Sequence, residues 1–197
     1  MKSESGASNR AATPAPVRRV DPDRRNKIID AALRVIATEG VAGTSHRKVA
    51  AAADVPLGSM TYHFTGMDEL LHSAFSRFAN NVAERFDKRM AQVLTQDDAL
   101  LAVAANISDD IFAEQHDLTL TLELYTLAAR NPAFRDITTQ WMGRTRAALE
   151  EHFDPTTARL VDALIEGLTI HRALDLNPDN APNPGKAIRR ITTDLDH

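Results

Sequence analysis

The sequence predicts an all-α protein: an N-terminal three-helix head built on a helix-turn-helix, followed by a C-terminal helical bundle. Three observations carry that expectation. Apolar residues recur every three or four positions through most of the chain, the period of a helix with one buried stripe. A capping side chain directly before proline appears at Asp21-Pro22, Asn131-Pro132 and Asp154-Pro155, a repeated helix-start signal. Between Gly43 and Phe64 two short helical stretches flank a tight turn, and no convincing strand pair, internal repeat or Gly-rich phosphate loop accompanies them.

Residues 1–20 are rich in Ser, Ala and Pro and lack an apolar period, so they read as a disordered tail. Arg10, Arg18 and Arg19 in it are either a basic arm for DNA or part of an unstructured leader. The first helix starts at Asp21-Pro22-Asp23, buries Ile28, Ile29, Ala32, Leu33 and Ile36, and ends at Gly40. Thr44 or Ser45 caps the next helix, whose inner face is Val49, Ala50 and Ala53. Asp54 falls at the sharp turn, as one of the few non-Gly types that tolerate left-handed backbone, and Pro56 opens the third helix. Taken alone, this stretch is either a DNA reader or a helical hairpin inside any all-α domain.

Thr65-Gly66 interrupts the chain before a long helix carrying Leu71, Phe75, Phe78, Val82, Phe86 and Met90, which links head to body. Further helices are expected over 97–115, 117–130, 132–152, 155–175 and 185–195, with a Pro- and Asn-rich loop from Asn177 to Gly185. The leucines at 118, 120, 122 and 124 alternate as a strand would, but their surroundings favour a helix. The division is therefore a tail (1–20), a helix-turn-helix head (21–66), the candidate DNA-binding domain, and a body (67–197).

At 197 residues, 43% hydrophobic and 25% charged, the chain has the composition of an ordinary globular protein. It has no cysteine, so disulfides, thiolate zinc sites and cysteine nucleophiles are excluded. No apolar run approaches a membrane span and no secretory signal heads the chain, so a cytoplasmic location without a membrane partner is expected. Charge is divided unevenly. Residues 1–67 hold ten Lys and Arg against six Asp and Glu, a balance of +4; the remainder holds thirteen against twenty-one, −8, giving the net −4. A basic head on a phosphate-repelling body suits DNA binding.

The head resembles the TetR family of bacterial transcriptional repressors. The matching residues are Glu39-Gly40, Thr44, Arg47, Val49-Ala50, Ala53, Val55, the run Gly58 to Phe64, and Asp68-Glu69-Leu70-Leu71, a match specific to residues 24–75. The resemblance implies a homodimer joined by the last two long helices of each subunit. It also implies a near-palindromic double-stranded operator with the third helix of each head in the major groove, and a small-molecule effector that releases DNA. It assigns DNA contact to Thr44, Ser45, Arg47, Leu57, Gly58, Ser59, Thr61, Tyr62 and His63, with Phe64 as a core anchor. Leu57, Gly58, Ser59 and Thr61 would form the exposed recognition face. Arg47 suits bidentate binding of guanine. Two positions depart from the family pattern: Met67 replaces a usual lysine, removing a phosphate anchor, and Asp54 replaces a usual glycine.

In the body, Asn106, Phe112, Glu123, Tyr125 and Trp141 are polar or amphipathic groups within apolar helices, the composition of a ligand pocket. Leu160, Leu164, Gly167, Leu168 and His171 lie on the small, apolar stripe expected at the dimer interface. His63 and His72 lack companions at metal-ligand spacing, and no catalytic constellation stands out. Neither metal, cofactor nor enzymatic activity is expected. Asp109, Asp110, Glu114 and His116 read as a solvated helix end. An architectural DNA-binding protein without ligand, or a helical enzyme of unknown chemistry, are the rival readings.

Overall fold

Local capping chemistry sets most helix starts in the computed structural model, which describes residues 23–110, 115–177 and 182–193. The tail at 1–20, the cap at Asp21-Pro22 and Phe112 lie outside the described residues. Among those described, the elements are all helical: α1 (Arg24–Gly43), α2 (His46–Ala52), α3 (Gly58–His63), α4 (Met67–Met90), α5 (Gln96–Ala105), α6 (Gln115–Arg130), α7 (Arg135–Glu150), α8 (Pro155–Leu174) and α9 (Pro184–Thr193).

Asn131 Oδ1 accepts from the Ala133 N–H at 3.1 Å, beginning a 3₁₀ turn at Pro132–Phe134 that leads into α7. Asp154 Oδ1 accepts from the N–H groups of Thr156 (2.9 Å) and Thr157 (3.2 Å) at the start of α8. These bonds satisfy donors that the helix cannot. Thr65 donates its N–H and hydroxyl to Glu69 at 2.7 and 2.8 Å across the start of α4, which holds the Glu69 carboxyl below the usual carboxylate range.

Gly40 breaks α1 with φ +71° and ψ 172°; a further turn then runs to Gly43. The Thr44 hydroxyl closes that turn on the Gly40 carbonyl at 2.8 Å. Ser45 is the cap of α2, its Oγ accepting from the Lys48 N–H at 3.4 Å. Asp54 has the left-handed backbone its position asked for, φ 52°. Pro56 precedes α3 rather than opening it, and its carbonyl accepts the Ser59 N–H at 2.8 Å.

Two further expectations change in detail. The helix expected over 97–115 stops being α-helical at Ala105 and widens into a π turn over Asn106–Asp110, where the longer i→i+5 register accommodates an extra residue. The alternating leucines do lie in a helix: Leu120, Leu124 and Ala128, four apart, are buried, while Leu122 is exposed.

Two hydrophobic clusters form the interior. The first joins head and body: Ile28, Ile29, Ile36, Val49, Met60 and Phe64 pack with Leu70, Phe75 and Phe78 of α4 and with Leu120, Leu124, Phe134 and Ile137. The head therefore has no separate core, and α1 lies directly against α6. The second cluster fills the far end with Phe86, Met90, Leu100, Val103, Leu149, Phe153, Val161 and Ile188. Ion pairs stitch the outside, with Arg77 on Asp30 and Arg85 on Asp117, each at 2.7 Å. No helix among the described residues is long and apolar enough to cross a membrane.

Candidate functional site

α2 and α3 pack into the first cluster and contribute nothing to the second. Met60 and Phe64, four apart, anchor α3 in the core, and the Arg25 guanidinium covers the Phe64 ring at 5.0 Å. That anchoring turns Leu57, Gly58, Thr61 and Tyr62 outward, Leu57 to 54% and Tyr62 to 77% exposure. Tyr62 is thus not a core packing ring; it meets the neighbouring His63 ring in a T-shaped pair at 4.8 Å between centroids. Ser59 is a correction. It was expected on the exposed face, but it precedes Met60 on the inward side of this short helix and is 7% exposed.

On α2, Arg47 is exposed and makes no ion pair with a described residue, whereas Lys48 is engaged by Glu39 and by the Gly43 carbonyl. Thr44 and Ser45 are half-buried, their hydroxyls used in the turn and the cap. Arg47, Leu57, Gly58, Thr61, Tyr62 and half-buried His63 are the groups on one open surface of polar and small residues. Such a surface can enter a groove and offer one guanidinium to a base edge or phosphate.

In the body, a cleft opens where the two clusters meet. It encloses about 680 Å³ of empty space when its open mouth is included. Val82, Arg85 and Phe86 of α4 form one wall; Thr121 and Tyr125 of α6, and Trp141, Met142 and Thr145 of α7, form two more. α8 supplies Asp162, Ile165, Glu166, Thr169 and Ile170, and the π turn supplies Asn106. Tyr125 and Trp141 pack at 6.3 Å between centroids, with Phe78 edge-on to Trp141 behind them at 5.8 Å.

Burial governs the charges in this cleft. Asp162 accepts from Arg146 Nε at 2.7 Å, yet loss of water raises its carboxyl above the ordinary range. Glu166 is raised for the same reason, although the Tyr125 hydroxyl donates to it. The Tyr125 hydroxyl is itself pushed far above the usual phenol range, first by burial and then by the Glu166 charge.

Of the five residues expected in a pocket, Asn106, Tyr125 and Trp141 line this cleft, and Phe112 lies outside the described residues. Glu123 does not line it. It leaves α6 two residues from Tyr125, on the side facing α1, where its Oε2 accepts the Val41 N–H at 3.2 Å. The acidic pair Asp162 and Glu166 was not anticipated; its spacing of four within an apolar helix, followed by Thr169, was the available signal.

On α8, Leu160 is exposed, Leu164 and Gly167 half-buried, and a Cβ added at Gly167 would meet open space. Leu168 and His171 instead line a second hollow with Pro182 and Pro184, beside the start of α9. Among the described residues no group of His, Asp and Glu is arranged to hold a metal ion; His72 pairs with Asp136 at 3.1 Å.

Comparison with known proteins agrees with both halves of this description. The family model for bacterial regulatory proteins of the TetR family matches residues 28–74, and that for the tetracyclin repressor-like C-terminal domain matches residues 95–195. The chain is 30% identical to the HTH-type transcriptional regulator CymR of Pseudomonas putida over 141 residues, 70% of this chain and 68% of CymR. The crystal structure of SCO7518 from Streptomyces coelicolor A3(2) superposes with a TM-score of 0.82 at 52% identity, covering 87% of this chain and 99% of SCO7518. The multidrug binding protein EbrR, crystallised with ethidium, gives 0.72 at 35% identity, covering 86% and 98%. With its helix-turn-helix head, its all-helical body and these relatives, the chain belongs to the TetR family of transcriptional regulators.

Proposed function

We propose that the protein is a cytoplasmic, homodimeric repressor that holds a near-palindromic operator through α2 and α3 and releases it when a small molecule enters the cleft. The observation that carries this reading is the continuity of α4. Its 24 residues span about 36 Å. It begins after a three-residue link to α3, Phe64 to Gly66, and its Val82–Phe86 segment is a wall of the cleft. A molecule that wedges α4 away from α6 or α8 tilts both heads of a dimer and alters their spacing. The equilibrium moves only by the difference in the effector's affinity for the two spacings. EbrR, captured with ethidium and with proflavin, supports the idea that bodies of this shape receive small aromatic molecules.

Operator affinity at one fixed salt concentration tests the reader. Arg47→Ala is expected to weaken binding by about 1–3 kcal/mol, and to relax preference at one position if the contact is to a base. Tyr62→Phe removes a single hydroxyl and should act more weakly in the same direction. Both residues are on the surface, so the melting temperature should not change. Unaltered affinity in both variants would remove α2 and α3 as the reader.

The dimer reading rests on the open apolar stripe of α8. Placing Glu at Gly167 is expected to shift the protein towards monomer in sedimentation velocity, because the close approach permitted by a missing side chain is lost and a charge is buried. A dimer of undiminished stability would exclude this face.

A further inference from the structure

The strongest unassigned feature is the charge balance of the cleft. Three charged side chains line it: Arg85, Asp162 and Glu166. Two of them are already matched, Arg85 by Asp117 and Asp162 by Arg146, each at 2.7 Å. Glu166 is not. Its hydrogen-bond partner is the neutral Tyr125 hydroxyl, it forms no ion pair among the described residues, and the cation whose field reaches it, Arg146, is already bonded to Asp162. The ionised cleft therefore carries one uncompensated negative charge.

Around that charge the walls are aromatic and apolar: Trp141, Tyr125, Phe86, Met142 and Ile165. Asn106, 4% exposed overall, adds a side-chain amide to the lining.

We propose that the effector of this cleft is an aromatic organic cation, its positive charge set against the Glu166 carboxylate and its ring against Trp141 and Tyr125. The assignment rests on the effector reading of the cleft given above and narrows it to one chemical class. Three interactions reinforce one another. The cation supplies the counter-charge that the protein withholds from Glu166. The rings present their negative faces to positive charge, an attraction that strengthens where water is excluded. The Asn106 amide gives one hydrogen bond that orients a polar edge of the ligand. Burial that raises the Glu166 carboxyl in the empty cleft is offset when the cation arrives. An anionic effector meets Glu166 and Asp162 with Arg85 already occupied, and is disfavoured.

Two probes of one shape separate charge from fit: 1-methylquinolinium and 1-methylnaphthalene. Trp141 is the only tryptophan in the chain, so its fluorescence reports occupancy of the cleft directly. Full-length protein is expected to bind the cation about tenfold or more tightly than its neutral isostere. Glu166→Gln keeps the size and an acceptor for Tyr125; it is expected to remove that preference and leave binding of the neutral probe unaltered, which also shows that the cleft has kept its shape. Glu166→Asp retains the charge and should retain the preference. Equal binding of the two probes by the wild-type protein, or a preference that survives Glu166→Gln, overturns the charge assignment and leaves the effector reading standing. Binding of neither probe overturns both readings for ligands of this size.

Discussion

Gly40→Ala is expected to destabilise the protein by roughly 3–5 kcal/mol, from backbone strain and loss of one charged hydrogen bond together. At φ +71° and ψ 172° the backbone of Gly40 occupies a region essentially reserved for glycine. An added Cβ would also lie 2.6 Å from Glu123 Oε1. The carboxylate is flexible and can withdraw, but in doing so it abandons the Val41 N–H. A double-mutant cycle with Glu123→Ala separates the two contributions. In that background the alanine should cost only the strain, about 1–3 kcal/mol. Strict additivity would mean that the Cβ and the carboxylate never meet. Because Gly40 lies one short turn before α2, the same variant should lose operator affinity even where it remains folded.

Phe75→Ala is expected to lower the unfolding free energy by about 3–5 kcal/mol, the usual range for emptying a buried phenylalanine site. Phe75 is wholly buried on α4, within the cluster that joins α1, α4, α6 and α7. Against a typical total of about 5–15 kcal/mol, that loss leaves the fold marginal. Denaturant midpoints at a fixed protomer concentration measure it, since dimerisation stabilises by mass action. A loss below about 1 kcal/mol would mean that this cluster does not hold the head on the body.

The features legible in the sequence were those whose causes are local. Asp154 and Asn131 cap helices through atoms two or three residues away, and Asp54 adopts left-handed backbone by its own side-chain chemistry. Met60 and Phe64 share a face because four residues make about one turn. Placement across the fold was less legible. Glu123 and Tyr125 are two apart on α6, so they point to different sides of it, one to α1 and the other into the cleft. Polarity within an apolar helix marked both equally. Asp162 and Glu166 interrupt the stripe of α8, but only the packing of α6 and α7 against that helix shows which side is closed. Ser59 is buried against expectation because a six-residue helix is too short for a period to reveal its inner edge.

The cluster that runs unbroken from Ile28 to Ile137 has a consequence for transplantation. A reader grafted from this chain at Gly66 would leave behind Leu70, Phe75, Leu120 and Leu124, the surfaces that cover Ile28, Ile29 and Ile36. Such a graft would present a bare apolar flank to water, along with a Gly40 turn deprived of its carboxylate. Exchange of specificity between relatives is accordingly expected to work residue by residue on the outward face of α3, where Leu57, Thr61 and Tyr62 are exposed and take no part in the core. Swapping the head as a block would have to carry the matching faces of α4 and α6 with it.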